Sequence, residues 1–242
     1  MADQINEDIK KSAYFSNRNV NENLYSAYSL PRYLAQYFTE ADKNLNILDI
    51  GCGLGQLLNY LKEKGFKNLT GIDINDESIL ACKKSGLSVE KVTDIREYAA
   101  NSTKKFDRIV MSHVLEHIDK ESIIDTLIHI KKYLLAEGGI FLLMVPNAQS
   151  YTGAYWRYED FTHNIMFTAG SCIYVLKSAG FEKIEFIDPD GTVAMNPFKK
   201  AIIKILLRYH NLKEDVWNKI LQTSFHKPSP RIYTFELKVA AS

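Results

Sequence analysis

Asp49-Ile50-Gly51-Cys52-Gly53-Leu54-Gly55 decides the fold. The stretch follows a short apolar run, Leu45 to Ile50, and opens into Gln56 to Lys64, where Leu57, Leu58 and Leu61 recur at helical spacing and Gly65 takes the C-cap position. Side chains would block the approach of a ligand to such a turn; glycines let the backbone curl tightly and expose its N–H groups. The reading is a strand, a ligand-binding turn and a helix, the opening of a β-α-β unit.

Outward from this unit the rhythm repeats. Leu69 to Ile74, Val89 to Val92, Phe106 to Met111 and Ile140 to Val145 are near-continuous apolar runs, as strands covered on both faces should be. Helices are predicted over Asp76 to Ser85 and Lys120 to Leu135, the latter with Ile123, Ile124, Leu127, Ile130 and Leu134 on one face and Gly138-Gly139 releasing the chain into the next strand. Thr168 to Ala179 reads as a helix ended by Gly180, Lys183 to Ile187 as a strand and Arg231 to Ala240 as the last strand. Strands and helices alternating in this way predict an α/β fold with a doubly wound, Rossmann-like, mostly parallel seven-stranded sheet.

Residues 1–44 look helical and are expected to form an N-terminal lid on a domain of residues 45–242. A helical insert is expected at about 193–227, where Asn196 and Pro197 look like an N-cap and first-turn pair. Phe198, Ile202, Ile205, Leu206 and Tyr209 fall on one side of that helix, with Lys200, Lys204 and Arg208 as a basic stripe beside them. The stripe is either a solvated face of a packing helix or a surface for phosphates or a membrane.

Composition narrows the class. The 242 residues suit one compact domain, and 46% hydrophobic with 24% charged residues is an ordinary globular balance. Thirty basic residues against twenty-nine acidic give a formal charge of +1, with no global field to draw the chain onto nucleic acid. Cys52, Cys82 and Cys172 have no CxxC spacing and are odd in number, which argues against a disulfide framework or a cysteine-rich zinc site and fits a reducing, cytoplasmic location. The N-terminus lacks the basic-then-hydrophobic order of a signal peptide, and no run reaches the roughly 18 apolar residues of a membrane span.

Two nucleotide-like ligands compete for the glycine turn. A dinucleotide wants G-x-G-x-x-G with the helix N-terminus holding a pyrophosphate, whereas the spacing here is G-x-G-x-G. Asp49 would repel a pyrophosphate but attract an amino group, so the turn favours S-adenosylmethionine (SAM) over NAD. Asp73 ends the second strand, placed to accept from both ribose hydroxyls or to cap the next helix; Asp94-Ile95 follows the third, placed against adenine or as a cap. Ligands of such sheets lie beyond the carboxyl ends of the strands, so Asp49, Asp73, Asp94 and Ser112 are expected to converge.

With these residues in view, the stretch from Asn46 to Ile187 resembles the class I SAM-dependent methyltransferases. LDIGCGLG is similar to the family's first motif, GIDIN to the second, TDI to the third, FDRIVMSHVLEHI to the fourth, and GG followed by IFLLMVPN to the fifth-strand region. The resemblance implies that Gly51, Gly53 and Gly55 contact the methionine part, Asp73 the ribose, Asp94 and Ile95 the adenine, and Ser112 with His113 the sulfonium neighbourhood. Asp49, Gln56, Leu57 and Ile74 join this cofactor set, S-adenosylhomocysteine (SAH) is the implied product, and the last strand is implied to run antiparallel.

The acceptor side is expected in Tyr155-Trp156-Arg157-Tyr158-Glu159-Asp160-Phe161-Thr162-His163, just after the fifth strand. Methyl transfer is an in-line displacement at an activated sulfonium, so the enzyme must mainly align the acceptor and remove its proton. His163, with an ordinary pKa of about 6.5, suits that base and Asp160 suits orienting it or binding the acceptor, unless His163 caps the helix near Thr168 and Asp160 satisfies loop backbone. Arg157 is expected to hold a phosphate or carboxylate, with Tyr155 and Tyr158 as further substrate contacts. This segment resembles the D-x-x-H stretch of bacterial surface-polysaccharide methyltransferases. Tyr14, Phe15, Arg18, Tyr28 and Arg32 are read as lid residues, with Arg18 or Arg32 reaching the SAM carboxylate.

His113-Val-Leu-Glu116-His117 matches H-x-x-E-H, an inverted zinc-protease pattern when it lies on a helix. Here it begins at a strand end and the sequence offers no third ligand, so no metal is expected, and Glu116 and His117 are read as stabilising the turn. The function expected is SAM-dependent O-methylation of a sugar, sugar nucleotide or related phosphorylated small molecule in surface-glycan biosynthesis. A quinone-precursor O-methyltransferase that meets a membrane through the insert, and a SAM-binding protein without catalysis, are the rivals. Nucleic acid is not expected as acceptor, since no N-P-P-Y-like motif is present to hold a flipped base.

Overall fold

The structure, a computed structural model, describes residues 14–18, 20 and 28–242. Seven strands form one sheet: β1 Asn46–Ile50, β2 Asn68–Asp73, β3 Val89–Lys91, β4 Phe106–Ser112, β5 Leu135–Pro146, β6 Ile184–Phe186 and β7 Glu236–Ala241, in the order β3-β2-β1-β4-β5-β7-β6. β7 is inserted antiparallel between β5 and β6, and the pairs from β3 through β5 are parallel. The order reverses between β1 and β4, so a crevice opens outside their carboxyl ends, beside the Asp49–Gly55 turn.

Alternate strand residues feed two cores, as the period of two requires. On one face Leu48, Ile50, Ile109, Met111, Phe141 and Leu143 pack with the helices α4 (Ile95–Asn101), α5 (Ile123–His129) and α7 (Ala169–Ser178). On the other, Ile47, Val110, Leu142 and Met144 pack with Leu57 and Leu61 of α2 (Gln56–Glu63) and with Leu34 and Phe38 from the segment before β1. Two further helices are α1 (Tyr14–Asn17) and α3 (Asp76–Lys84), the latter capped by Asn75, whose side chain accepts from Glu77 N and Ser78 N. Expectations on residues 1–13, 19 and 21–27 lie outside the described residues.

Three elements depart from the sequence reading. The stretch Lys120–Leu134 is a short 3-10 turn, then α5, then a π-helical turn at Ile130–Leu134, and Leu135 already belongs to β5. Gly138-Gly139 lies inside β5: Leu135 pairs with Phe106, the register then shifts, and pairing resumes with Ile140 opposite Arg108. β7 starts only at Glu236, because residues 231–235 turn aside.

The insert helix, α8, runs from Pro197 to Leu221 with Asn196 as N-cap, accepting from Lys199 N at 2.9 Å. None of its residues is buried. It is held to the body by polar contacts: Tyr233 Oη donates to Asn211 Oδ1 (2.8 Å) and Glu214 Oε2 (2.6 Å), and Arg231 pairs with Asp215 at 2.5 Å. α6 spans Gly153–Glu159, and among the described residues no helix is long and apolar enough to cross a membrane.

Candidate active site

The turn after β1 is built by close approach. Gly51 and Gly55 sit at φ +73° and +81°, and a Cβ there would come within 2.1 Å of Val114 Cγ2 and 2.6 Å of Leu87 Cδ1. The expectation that the turn exposes its amides is corrected in part: Gly51 N and Cys52 N donate to Ile72 O, Gly53 N to Asp73 Oδ2 and Gly55 N to Cys52 O. The glycines therefore shape the curl while most of these N–H groups hold it closed.

The acids expected at the strand ends are found there, with different local duties. Asp49 is buried; desolvation, then the charge of Asp73, push its carboxyl up to about 7. Burial also raises Asp73, against hydrogen bonds from Asn75 N (2.8 Å) and Gly53 N (2.8 Å). Asp94 caps α4 through Arg96 N (2.8 Å) and pairs with the Arg96 guanidinium, which holds its carboxyl below the usual range. Ile74 is 36% exposed beside Asp73, whereas the Leu57 side chain is part of the core, which leaves only its backbone for a ligand.

A cavity of about 240 Å³ lies at this edge, lined by Tyr14, Arg18, His113, His117, Pro146, Trp156, Asp160, His163 and Phe235. Phe15 reaches the glycine turn, its Cζ 3.6 Å from the position of a Cβ on Gly53. Arg18, one of the two arginines read as reaching toward SAM, instead pairs with Asp160 across the cavity, and Tyr14 donates to the same oxygen at 2.6 Å. Burial opposes ionisation of Asp160, yet hydrogen bonds from Thr162 and Tyr14 prevail and hold it down to about 2.

His113, after Ser112 at the end of β4, has φ +55°, a conformation uncommon outside glycine and held here by its N–H bond to Met144 O at 2.9 Å. Its Nδ1 lies 3.3 Å from Glu116 Oε1 and its Nε2 3.1 Å from Glu236 Oε2. Desolvation pulls the imidazole down, but the two carboxylates outweigh it and raise its pKa to about 10. Glu236, at the first position of β7, also accepts from Tyr33 Oη at 3.2 Å; the sequence reading missed it, though an acid opening an apolar strand was the available signal.

His163 is 6% exposed, and its Nδ1 faces the Trp156 carbonyl at 2.8 Å. That carbonyl orients the ring, not Asp160, whose Oδ2 stands 3.8 Å from Nε2. Burial, then the neighbouring His117, lower the His163 pKa. The alternative that His163 caps α7 does not hold, because Thr168 is the cap, in a reciprocal box with Ser171.

The expected substrate residues on α6 are redistributed by helical period: Trp156 faces the cavity, while Tyr155 and Tyr158 are 54% and 79% exposed. Arg157 spends its fork on the carbonyls of His163 and Asn164, clamping the loop rather than awaiting an anion. Glu116 and His117 are joined by the third residue that sequence spacing did not reveal: His163 brings a ligand atom to within 4.8 Å of theirs.

The methyltransferase-domain family matches this chain over residues 20–185. The ubiquinone biosynthesis O-methyltransferase of Bartonella quintana (strain Toulouse) is 38% identical over 80 residues, 31% of this chain and 32% of that protein. The mitochondrial ubiquinone biosynthesis O-methyltransferase of Candida albicans is 32% identical over 108 residues, 42% of this chain and 32% of that protein. The matches thus span about a third of the length of these curated relatives. A SAM-dependent methyltransferase from Archaeoglobus fulgidus superposes with a TM-score of 0.63 at 23% identity, covering 94% of this chain and 97% of that one, a likeness of fold.

Proposed function

The chain belongs to the methyltransferase-domain family, SAM-dependent enzymes of the class I fold, and from that premise we propose that it methylates a hydroxyl oxygen of a small ring-shaped acceptor held in the cavity at the carboxyl edge of the sheet. Its cofactor is SAM and its product SAH. Asp49 meets the amino group of the methionine part, which lies along Gly51, Gly53 and Gly55. A carboxylate has about four lone-pair sites, so Asp73, after its bonds to Gly53 N and Asn75 N, keeps capacity for the ribose hydroxyls. Gln56, its Oε1 3.7 Å from the position of a Cβ on Gly53, joins the methionine part. Ile74, Asp94 and Ile95 form the adenine end, and Ser112 and His113 border the sulfonium.

The observation that carries the reading is the pairing, in one cavity, of aromatic walls (Tyr14, Trp156, Phe235) with the His163 imidazole, whose Nδ1 faces the Trp156 carbonyl and leaves Nε2 for chemistry. The walls hold a ring by stacking. His163, its pKa below the usual histidine value, is neutral at pH 7 and offers its Nε2 lone pair to the hydroxyl or to an ion that holds it. Asp160, ionised throughout the neutral range, anchors Tyr14 and Arg18 over the bound acceptor.

The same geometry favours a phenolic over a phosphorylated acceptor. Arg18 spends its Nη1 and its charge on Asp160, and Arg157 is bound to backbone carbonyls, so both offer less to a phosphate than an unpaired guanidinium would. The similarity to two ubiquinone biosynthesis O-methyltransferases supports the same reading. Calorimetric titration with SAM and SAH, with Asp73→Ala as control, tests the cofactor site, and SAH release with substituted phenols against sugar nucleotides tests the acceptor. Turnover at least tenfold faster with phenols is expected; the reverse order would return the acceptor to the phosphorylated sugars. Tight SAM binding without SAH release from either set would favour a cofactor-binding protein without catalysis.

A further inference from the structure

Glu116 is fully buried, and neither of its carboxylate oxygens accepts a hydrogen bond among the described residues. Its closest ion-pair partner, His113, stands 3.3 Å from Oε1 and leaves Oε2 without a partner, so a buried carboxyl in that condition gains from a further one. Two further imidazoles stand around it, each with its back to a carbonyl: His163 Nδ1 is 2.8 Å from Trp156 O, and His117 Nδ1 is 3.2 Å from Thr162 O. A ring nitrogen facing a carbonyl carries the proton, so in both rings Nε2 keeps the lone pair, the tautomer and second partner typical of metal-binding histidines.

We infer that Glu116, His117 and His163 form a binding site for a borderline divalent cation such as Zn²⁺ or Co²⁺. Their ligand atoms all lie within 4.8 Å of one another, and Glu116 Oε1 and His163 Nε2 are 3.8 Å apart. Ligands about 2.1 Å from a tetrahedral ion stand about 3.4 Å apart, so side-chain shifts of about an ångström or less close the site. Two imidazoles with one carboxylate suit such ions, whereas Ca²⁺ and Mg²⁺ prefer oxygen.

The surroundings hold the ligands in place. Asn164 N and Ile165 N donate to Glu116 O at 2.8 and 3.2 Å, and Asn164 Nδ2 donates to His117 O at 2.9 Å, tying the His163 loop to the Glu116 turn. Asp160, though near, is engaged by Arg18 and Tyr14 and stays outside the ligand set. The role of the ion rests on the methyl-transfer reading: three protein ligands leave a position for the acceptor oxygen, whose pKa the ion lowers. The hydroxyl proton leaves to solvent, the oxygen lone pair attacks the methyl carbon, and the C–S bond electrons return to sulfur, turning the sulfonium into the neutral thioether of SAH.

The test uses the full chain, stripped with a chelator and without SAM, titrated with Zn²⁺ by calorimetry and with Co²⁺ by visible absorption. One equivalent is expected to bind at micromolar Kd or tighter, raising Tm by roughly 5–10 °C at a hundredfold excess over Kd. Glu116→Gln and His163→Asn should each weaken binding at least fiftyfold and lose the shift. Glu116→Gln, which also loses the pairing with His113, should still unfold cooperatively without metal, and its lack of any Zn²⁺-dependent rise above its own metal-free Tm separates loss of the ion from loss of the fold. Weak, non-stoichiometric binding to the folded wild type, or unchanged binding in both variants, would overturn the inference. A bound ion in a protein with no SAM affinity would sustain the site and sink only its catalytic role; SAM affinity without ion binding would do the opposite.

Discussion

Asp49 is a carboxyl that the apo fold disfavours and the cofactor's amino group would reward. Its pKa rises from 3.8 to about 7, so between those values the folded state holds the proton more tightly than the unfolded one, and stability falls as pH rises through that window. Above pH 7 the penalty is complete, about 4 kcal/mol at most. Asp49→Asn should therefore stabilise the apoprotein at pH 8 but hardly at pH 4, in urea titrations, while weakening SAM binding; an equal effect at both pH values would put the pKa shift elsewhere. The neighbouring glycines separate two costs. Gly53→Ala meets only the left-handed backbone at φ +52°, about 1–2 kcal/mol, whereas Gly51→Ala also drives a Cβ to 2.1 Å from Val114 Cγ2, adding about 1–3 kcal/mol. Equal urea midpoints for the two variants would mean that Val114 yields freely. At this scale the sequence was informative where chemistry is local, as in the turn and the strand-end acids. It offered the cap that Asp94 makes on α4 as one of two readings, and it was uninformative about Arg157, which nearby backbone carbonyls claim.

Among the elements, α5 and α8 show what periodicity does and does not tell. Both carry apolar residues at helical spacing, yet Leu127 of α5 is fully buried and Leu206 of α8 is 58% exposed. Leu127→Ala should cost about 2–5 kcal/mol and Leu206→Ala less than about 0.5 kcal/mol, read as shifts in urea midpoint. A large loss at Leu206 would show that its face is covered in solution. Periodicity marks an apolar face but not what lies against it, and α8 meets the body through Asn211, Glu214 and Asp215 instead. The end of α5 was opaque for a related reason. The apolar pattern runs smoothly to Leu134, while the backbone ladder changes to a π-helical turn so that Leu135 can pair with Phe106 ahead of the register shift.

For the whole molecule, the sequence carried the strand order's consequences further than the site's. The glycine turn and the strand-end acids follow from local signals and the antiparallel last strand from the family resemblance, whereas His163 joins Glu116 and His117 only because a distant loop folds back onto the turn after β4. The boundary at residue 44 was the weakest reading, since Leu34 is 2% and Phe38 8% exposed, both packed with Ile47, Leu61, Val110 and Leu142 in one of the two faces of the sheet. A lid that merely closed over the cavity would not share a core with the strands it covers. Removing residues 1–44 should therefore leave no cooperatively folding domain. The single change Leu34→Ala should cost about 2–5 kcal/mol, comparable with a central core position. In calorimetry the intact chain should unfold in one transition whose calorimetric and van't Hoff enthalpies agree. A truncated chain from residue 45 that unfolds in one sharp transition near the wild-type Tm would instead make the segment a separable lid. In that case Tyr14 and Arg18, which close on Asp160, would be its working end.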